Sequence, residues 1–168
     1  IPLVFMMDVI HGYRTIYPIP LAMGASFDPE LVAECSRMAA KEASAGGVQV
    51  SFTPMVDYVR DARWGRVMET CGEEPLINGI MGAAQIRAFQ GDDLSDYDSI
   101  GTCVKHFAAY GGAEAGGCIP EPHLWGRGRG GRSFLLPAFS AQLPWLRHSL
   151  PVRPAGQHGT RQSGCKRS

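Results

Sequence analysis

Along residues 1–116, apolar runs alternate with amphipathic stretches, and each change of period falls at a recognisable boundary. Pro2 to Met7 is a continuous apolar run of the kind found in buried parallel strands, and it stops at Asp8. A loop is expected next. Asp28-Pro29-Glu30 then starts a helix: Asp28 caps it, Pro29 suits its first position, and Glu30 complements the positive end of its dipole. Leu31, Val32, Cys35, Met38 and Ala39 recur at helical spacing, and Gly46-Gly47 ends the helix. Val48 to Phe52, rich in β-branched residues, reads as a second strand. Pro54 to Gly72 has no sustained period and is too long and too charged for a simple connector, which marks it as a functional loop. After Pro75, an apolar stripe of Ile77, Ile80, Met81, Ala84 and Ala88 closes at Gly91, and Ser99 to Val104 supplies another strand.

Strand, helix, strand, helix, strand, with connections long enough for right-handed crossovers, predicts a parallel α/β sheet. A Rossmann fold is disfavoured, because no G-x-G-x-x-G opens a helix after any strand. A partial (β/α)8 TIM-type barrel is expected, since a complete one needs about 250 residues.

Composition divides the chain in two. Residues 1–116 hold 8 Lys/Arg against 15 Asp/Glu, whereas 117–168 hold 8 against Glu121 alone, so the formal charge of zero is a cancellation. The 117–168 segment also carries half of the prolines and the run Gly126-Arg-Gly-Arg-Gly-Gly-Arg132. It reads as a disordered or non-native C-terminal tail. The chain opens at Ile1 inside an apolar run, as a fragment missing its true start would, and periplasmic, secreted and cytoplasmic locations all stay open. No apolar stretch reaches the roughly 18 to 20 residues of a membrane helix. Five cysteines without a C-x-x-C pair predict no disulfide framework, with Cys35 and Cys103 expected as small hydrophobes on apolar faces. Cys118 and His123 lack a second pair to complete a metal site, and no cofactor is called for.

The charges that matter sit where the apolar runs stop. Met7-Asp8-Val9-Ile10-His11-Gly12, Arg60-Asp61-Ala62-Arg63-Trp64-Gly65-Arg66 and Val104-Lys105-His106-Phe107 each follow a strand-like stretch. In parallel α/β folds the carboxyl ends of the strands converge on one ligand-binding face. There the Asp8 carboxylate would accept from vicinal hydroxyls while Arg14 clamps a neighbouring oxygen. Arg66, Lys105 and His106 would add donors, a set suited to a carbohydrate. Alternatives stand beside these roles. Asp8 and Arg14 also fit a salt bridge closing a loop, Asp61 and Glu69 are expected to hold Arg63 or Arg66, and His11 fits either a loop histidine or a contact. Trp64 fits ring stacking or packing.

Taken together, those three segments, Glu69 through Glu74, and Lys105-His106-Phe107-Ala108-Ala109-Tyr110-Gly111 resemble family-3 glycoside hydrolases of the β-glucosidase and β-xylosidase type. The resemblance spans residues 1–116 and implies part of the N-terminal barrel domain of a retaining, exo-acting enzyme. It implies that Asp8, Arg14, Arg66, Lys105 and His106 hold the terminal non-reducing sugar of an oligosaccharide or an aryl or alkyl β-glycoside. The family's nucleophile, an Asp in a later Ser/Thr-Asp motif, and its acid/base Glu from a second domain are absent from this sequence, so the chain alone is expected to be inactive. Ala108-Ala109-Tyr110-Gly111 stands where the N-acetylhexosaminidase branch reads P-G-H-G, which disfavours that branch. Within the tail, Phe134-Leu-Leu-Pro-Ala-Phe139 and Gly159-Thr160 echo family segments, as a frameshifted reading frame would leave them. A non-catalytic carbohydrate-binding module is the alternative. A nucleic-acid-binding tail through Arg127, Arg129 and Arg132 is disfavoured, because no aromatics interleave its Arg-Gly repeats.

Overall fold

The computed structural model describes residues 2–107 and 110–112. The expectations for the 117–168 tail, with Cys118, His123 and Cys165, lie outside the described residues.

Three short parallel strands form one sheet in the order β1 (Met6–Met7), β2 (Val50–Ser51), β3 (Gly101–Thr102). Met6 pairs with Val50 and Met7 with Ser51, while Val50 and Ser51 pair on their other side with Gly101 and Thr102. The chain therefore leaves all three strands at the same level. Between β1 and β2 run α1 (Pro20–Ala25) and α2 (Pro29–Ala45), and between β2 and β3 runs α3 (Pro75–Gln90). Two single 3₁₀ turns, Val67–Glu69 and Tyr110–Gly112, lie after β2 and β3.

The helix starts follow from local chemistry. The Asp28 carboxylate accepts the Leu31 N–H at 2.9 Å, with Pro29 in the first turn, as the sequence predicts. Glu74 caps α3 the same way, accepting from Ile77 at 2.9 Å, and Pro75 follows it. Gly91 ends α3 at φ 62°, a conformation that glycine adopts without a steric cost. The segment expected as a plain loop after β1 contains α1, which the sequence reading missed. Its Pro20 start has no side-chain cap, so the strongest local signal of a helix is absent.

The core sits between sheet and helices. Val9, Ala39, Ala40, Ala43, Val48, Phe89 and Ile100 form one buried cluster, and Met23, Val32, Cys71 and Met81 form another. The buried face of α2 consists of Val32, Ser36, Ala39, Ala40 and Ala43, whereas Leu31 and Met38, expected on the apolar stripe, are exposed. Ala39, Ala40 and Ala43 of α2 share the first cluster with Phe89 of α3, and Val32 shares the second with Met81, so small residues of α2 pack with large ones of α3.

Other expectations need correction. Pro2 to Met7 is not a buried strand: only Met6 and Met7 pair, and residues 3–7 are exposed, with Phe5 at 61%. β1 lies at the sheet edge, and among the described residues no further strand pairs with it. The other two strands are likewise shorter than predicted. Cys103 is exposed and Cys35 partly so, while Cys71 is buried, and burial pushes its thiol up to about 12. Among the described residues no helix is long and apolar enough to cross a membrane.

Candidate functional site

The equal level of the strand ends brings distant residues together. Asp8 is the first residue after β1, and its neighbour Val9 is 1% exposed and tied by both backbone groups. The Val9 N–H donates to Ser51 Oγ at 3.2 Å and its carbonyl accepts from Thr53 Oγ1 at 2.8 Å. Both partners are buried, so the exit of β1 is fixed against β2 and Asp8 is held at the rim. From the other side, Lys105 continues the ladder, pairing with Met55 beyond the regular strands. Its ammonium donates to the Asp8 carboxylate across 97 positions of sequence. Lys105 is also within 5.9 Å of the Phe52 ring centre. Asp8 remains 58% exposed. Such a pair contributes about 0–1 kcal/mol.

Arg66 and His106 form the second half of the cluster. Glu69 accepts from the Arg66 guanidinium at two atoms, Nε at 2.7 Å and Nη2 at 2.6 Å. This fork holds Arg66 charged well above its ordinary range and draws the Glu69 carboxyl below the usual carboxylate range. Lys105 acts on Glu69 in the same direction and Asp8 against it, so all these charges share one field. The remaining guanidinium nitrogen, Nη1, faces His106 Nε2 at 3.4 Å. Tyr110 packs edge-on against His106, with centroids 4.8 Å apart, and the Arg66 guanidinium lies over its ring at 5.4 Å. Gly111 permits this approach: a Cβ there would lie 2.3 Å from the Tyr58 carbonyl oxygen.

Of the five residues singled out by sequence, Asp8 and Lys105 are therefore in contact, and Arg66 and His106 face each other. Arg14 makes no ion pair with Asp8. Its side chain is exposed and its backbone N–H donates to Glu42 on α2 at 2.9 Å. The ion pair of Asp8 is with Lys105, brought beside it by the parallel register, and the Asp8–Arg14 salt bridge allowed by the sequence is not formed. Asp61 holds Arg63 at 2.6 Å and Glu69 holds Arg66, as expected. His11 is a loop histidine with Nδ1 2.9 Å from the Tyr17 carbonyl oxygen. Trp64, 4% exposed, packs with Met55, Val59 and Val67 rather than offering a face for stacking.

The sequence reading missed two carboxylates. Asp57 is buried beneath His106 and bonded to it, and Glu42 gathers the loop that carries Arg14. Neither stands beside a strand end in the sequence, so spacing gave no signal for either. Among the described residues, no three His, Cys, Asp or Glu side chains are grouped to hold a metal ion.

Comparisons with known proteins agree on one group. The family model described as Glycosyl hydrolase family 3 N terminal domain matches residues 1–123. The chain is similar to a periplasmic beta-glucosidase of Salmonella typhimurium, with 46% identity over 116 residues, covering 69% of this chain and 15% of that protein. A beta-xylosidase of Formosa agariphila is 37% identical over 103 residues, covering 60% of this chain and 14% of that protein. Among solved structures, a beta-glucosidase from Listeria innocua in complex with glucose superposes with a TM-score of 0.72 and 46% identity, covering 86% of this chain and 20% of that one. The chain thus spans a fifth or less of the length of these three proteins.

Proposed function

The chain belongs to glycosyl hydrolase family 3, and from that premise we propose that residues 1–116 supply the sugar-binding wall of a retaining, exo-acting β-glucosidase-like hydrolase. The gathering of Asp8, Lys105, Arg66 and His106 from three strand-end segments onto one face carries this reading. In it, Asp8 accepts from vicinal hydroxyls of the terminal β-D-glucosyl unit. Lys105 and Arg66 donate to adjacent sugar oxygens, and His106 contributes one ring nitrogen. Arg14, at the tip of the loop after β1, closes on the same sugar. Retaining hydrolysis further needs two carboxyl groups about 5–5.5 Å apart, one as nucleophile and one as acid/base. No Ser/Thr-Asp motif follows the Lys105-His106 segment and the acid/base segment is not in this sequence, so in this reading the 168-residue chain binds but does not cleave.

The test is a graft. Residues 1–116 replace the matching segment of the Listeria innocua enzyme, and the chimera is assayed on aryl β-glucosides. We expect hydrolysis, with Asp8→Ala lowering kcat/KM by about 100-fold or more, since charge-assisted hydrogen bonds of about 1.5–3 kcal/mol each are lost. An Asp8→Ala chimera as active as its parent overturns the site assignment. Turnover by the purified 168-residue chain itself overturns the division between binding wall and missing catalytic pair.

A further inference from the structure

Asp57 is a charged side chain 3% exposed, set in the irregular segment after β2. Isolated burial of a carboxylate is costly, and among the described residues the polar groups that meet it belong to His106. The backbone N–H of His106 donates to Asp57 Oδ2 at 3.0 Å, and ring Nδ1 of the same histidine lies 2.8 Å from the same oxygen. One oxygen therefore fixes both the peptide and the ring of His106, 49 positions away in sequence.

The other ring nitrogen faces a different kind of group. Arg66 Nη1, a permanent donor, lies 3.4 Å from Nε2. A protonated Nε2 would point its hydrogen at the guanidinium, whereas an unprotonated Nε2 offers that donor a lone pair. Nδ1 opposes a carboxylate, which only accepts, so the proton belongs on Nδ1. The rotation of the ring is limited by Tyr110, packed edge-on at 72°.

We propose that Asp57 is the positioning residue of this site: by taking both hydrogen bonds of His106 on one buried oxygen, it holds the ring in the Nδ1–H form and leaves Nε2 as an acceptor at the rim. Asp57 touches no ligand and acts through His106. Only the identity of the group that finally meets Nε2, a sugar hydroxyl, rests on the function proposed above. A hydroxyl reaching this nitrogen must donate to its one lone pair in competition with Arg66 Nη1 at 3.4 Å, which makes His106 a second acceptor beside Asp8.

The test reads the tautomer directly. The full 168-residue chain is prepared with ¹⁵N-histidine, and multiple-bond ¹H–¹⁵N spectra are recorded at neutral pH without sugar. The His106 signals are assigned by their loss in His106→Gln. The expected wild-type result is a protonated, pyrrole-type shift at Nδ1 and a far-downfield, pyridine-type shift at Nε2. Asp57→Asn, which keeps one oxygen in place to accept both bonds, is expected to retain that pattern. Asp57→Leu, which fills the space without an acceptor, is expected to lose it, with the proton moving to Nε2 or exchanging between the two. A residue that only filled space would give no such ranking, Leu preserving the ring state as well as Asn. Wild-type His106 in the Nε2–H form overturns the proposal whether or not any variant folds, as does an unchanged Nδ1–H pattern in Asp57→Leu. Because no sugar is present, either result leaves the glycoside reading standing, while an Asp8-independent chimera would remove that reading and leave Asp57 in its role.

Discussion

Glu42 shows how one exposed side chain organises a loop. Its carboxylate accepts the backbone N–H groups of Arg14 at 2.9 Å and Thr15 at 2.8 Å, and the Thr15 hydroxyl at 2.6 Å. Those bonds, the Thr15 hydroxyl foremost, lower the Glu42 pKa from its ordinary 4.5. A carboxyl whose folded pKa is depressed contributes its hold above the unfolded value and loses it as pH falls through the folded one. The loop should therefore stay clamped at neutral pH and loosen only below about 4.5. Amide exchange checks this: the protection factors of Arg14 and Thr15, corrected for intrinsic rates, should drop through that acid range while those within α2 hold. Protection at Arg14 and Thr15 that is flat with pH would show that the carboxylate does not hold them. At this scale the sequence marked residues by chemical type, and Asp8, Arg66, Lys105 and His106 were visible as charges where apolar runs end. The partners Glu42 and Asp57 were invisible, because a hydrogen bond to a residue tens of positions away leaves no periodic trace.

Among the elements, the start of α2 was the most legible because a cap acts within four residues of chain, whereas the uncapped start of α1 gave no such signal. Asp28 accepts from Leu31, and its carboxylate also meets the positive end of the α2 dipole. Asp28→Ala should destabilise the chain by about 1 kcal/mol, within the usual range of about 0.5–2 for losing such a cap. Urea unfolding with an unchanged m-value measures it. A variant with an unshifted midpoint would mean that α2 is held by packing alone. Which face of α2 is buried was less legible. Leu31 and Met38 carry more apolar area than Ala39, Ala40 and Ala43, and a count of hydrophobicity favours them. The face that is buried is instead the one whose Ala39, Ala40 and Ala43 leave room for Phe89 and whose Val32 joins Met81, so fit to the neighbours on α3 outweighs the apolar area of the side chain. The strands were overextended by the sequence reading for a related reason. Apolar, β-branched composition reports suitability for a sheet, whereas strand length depends on how many residues find a partner.

For the molecule as a whole, the unpaired side of β1 is the feature with the largest physical consequence among the described residues. Leu3, Val4, Phe5, Met6 and Met7 are all exposed, a run of apolar side chains leading into the edge strand of the described sheet. Such an edge is a template for pairing with another chain. Sedimentation velocity over a concentration series should show the chain self-associating, and Phe5→Lys, which places a charge on the edge without touching the site, should weaken that association. Equal association by both chains would locate it elsewhere. The sequence by itself determined the order of the three strands and of α2 and α3, the Asp28 cap, the parallel α/β class and the types of residue available at the strand ends. These depend on local backbone preference and on burial patterns that repeat every two or three to four positions. Only the tertiary structure decided that Lys105 meets Asp8, that Arg14 is drawn towards Glu42, and that Asp57 lies under His106. Those pairings follow from the register of three strands and the seating of two helices on them. Sequence separation does not encode distance once the chain has crossed back over a sheet.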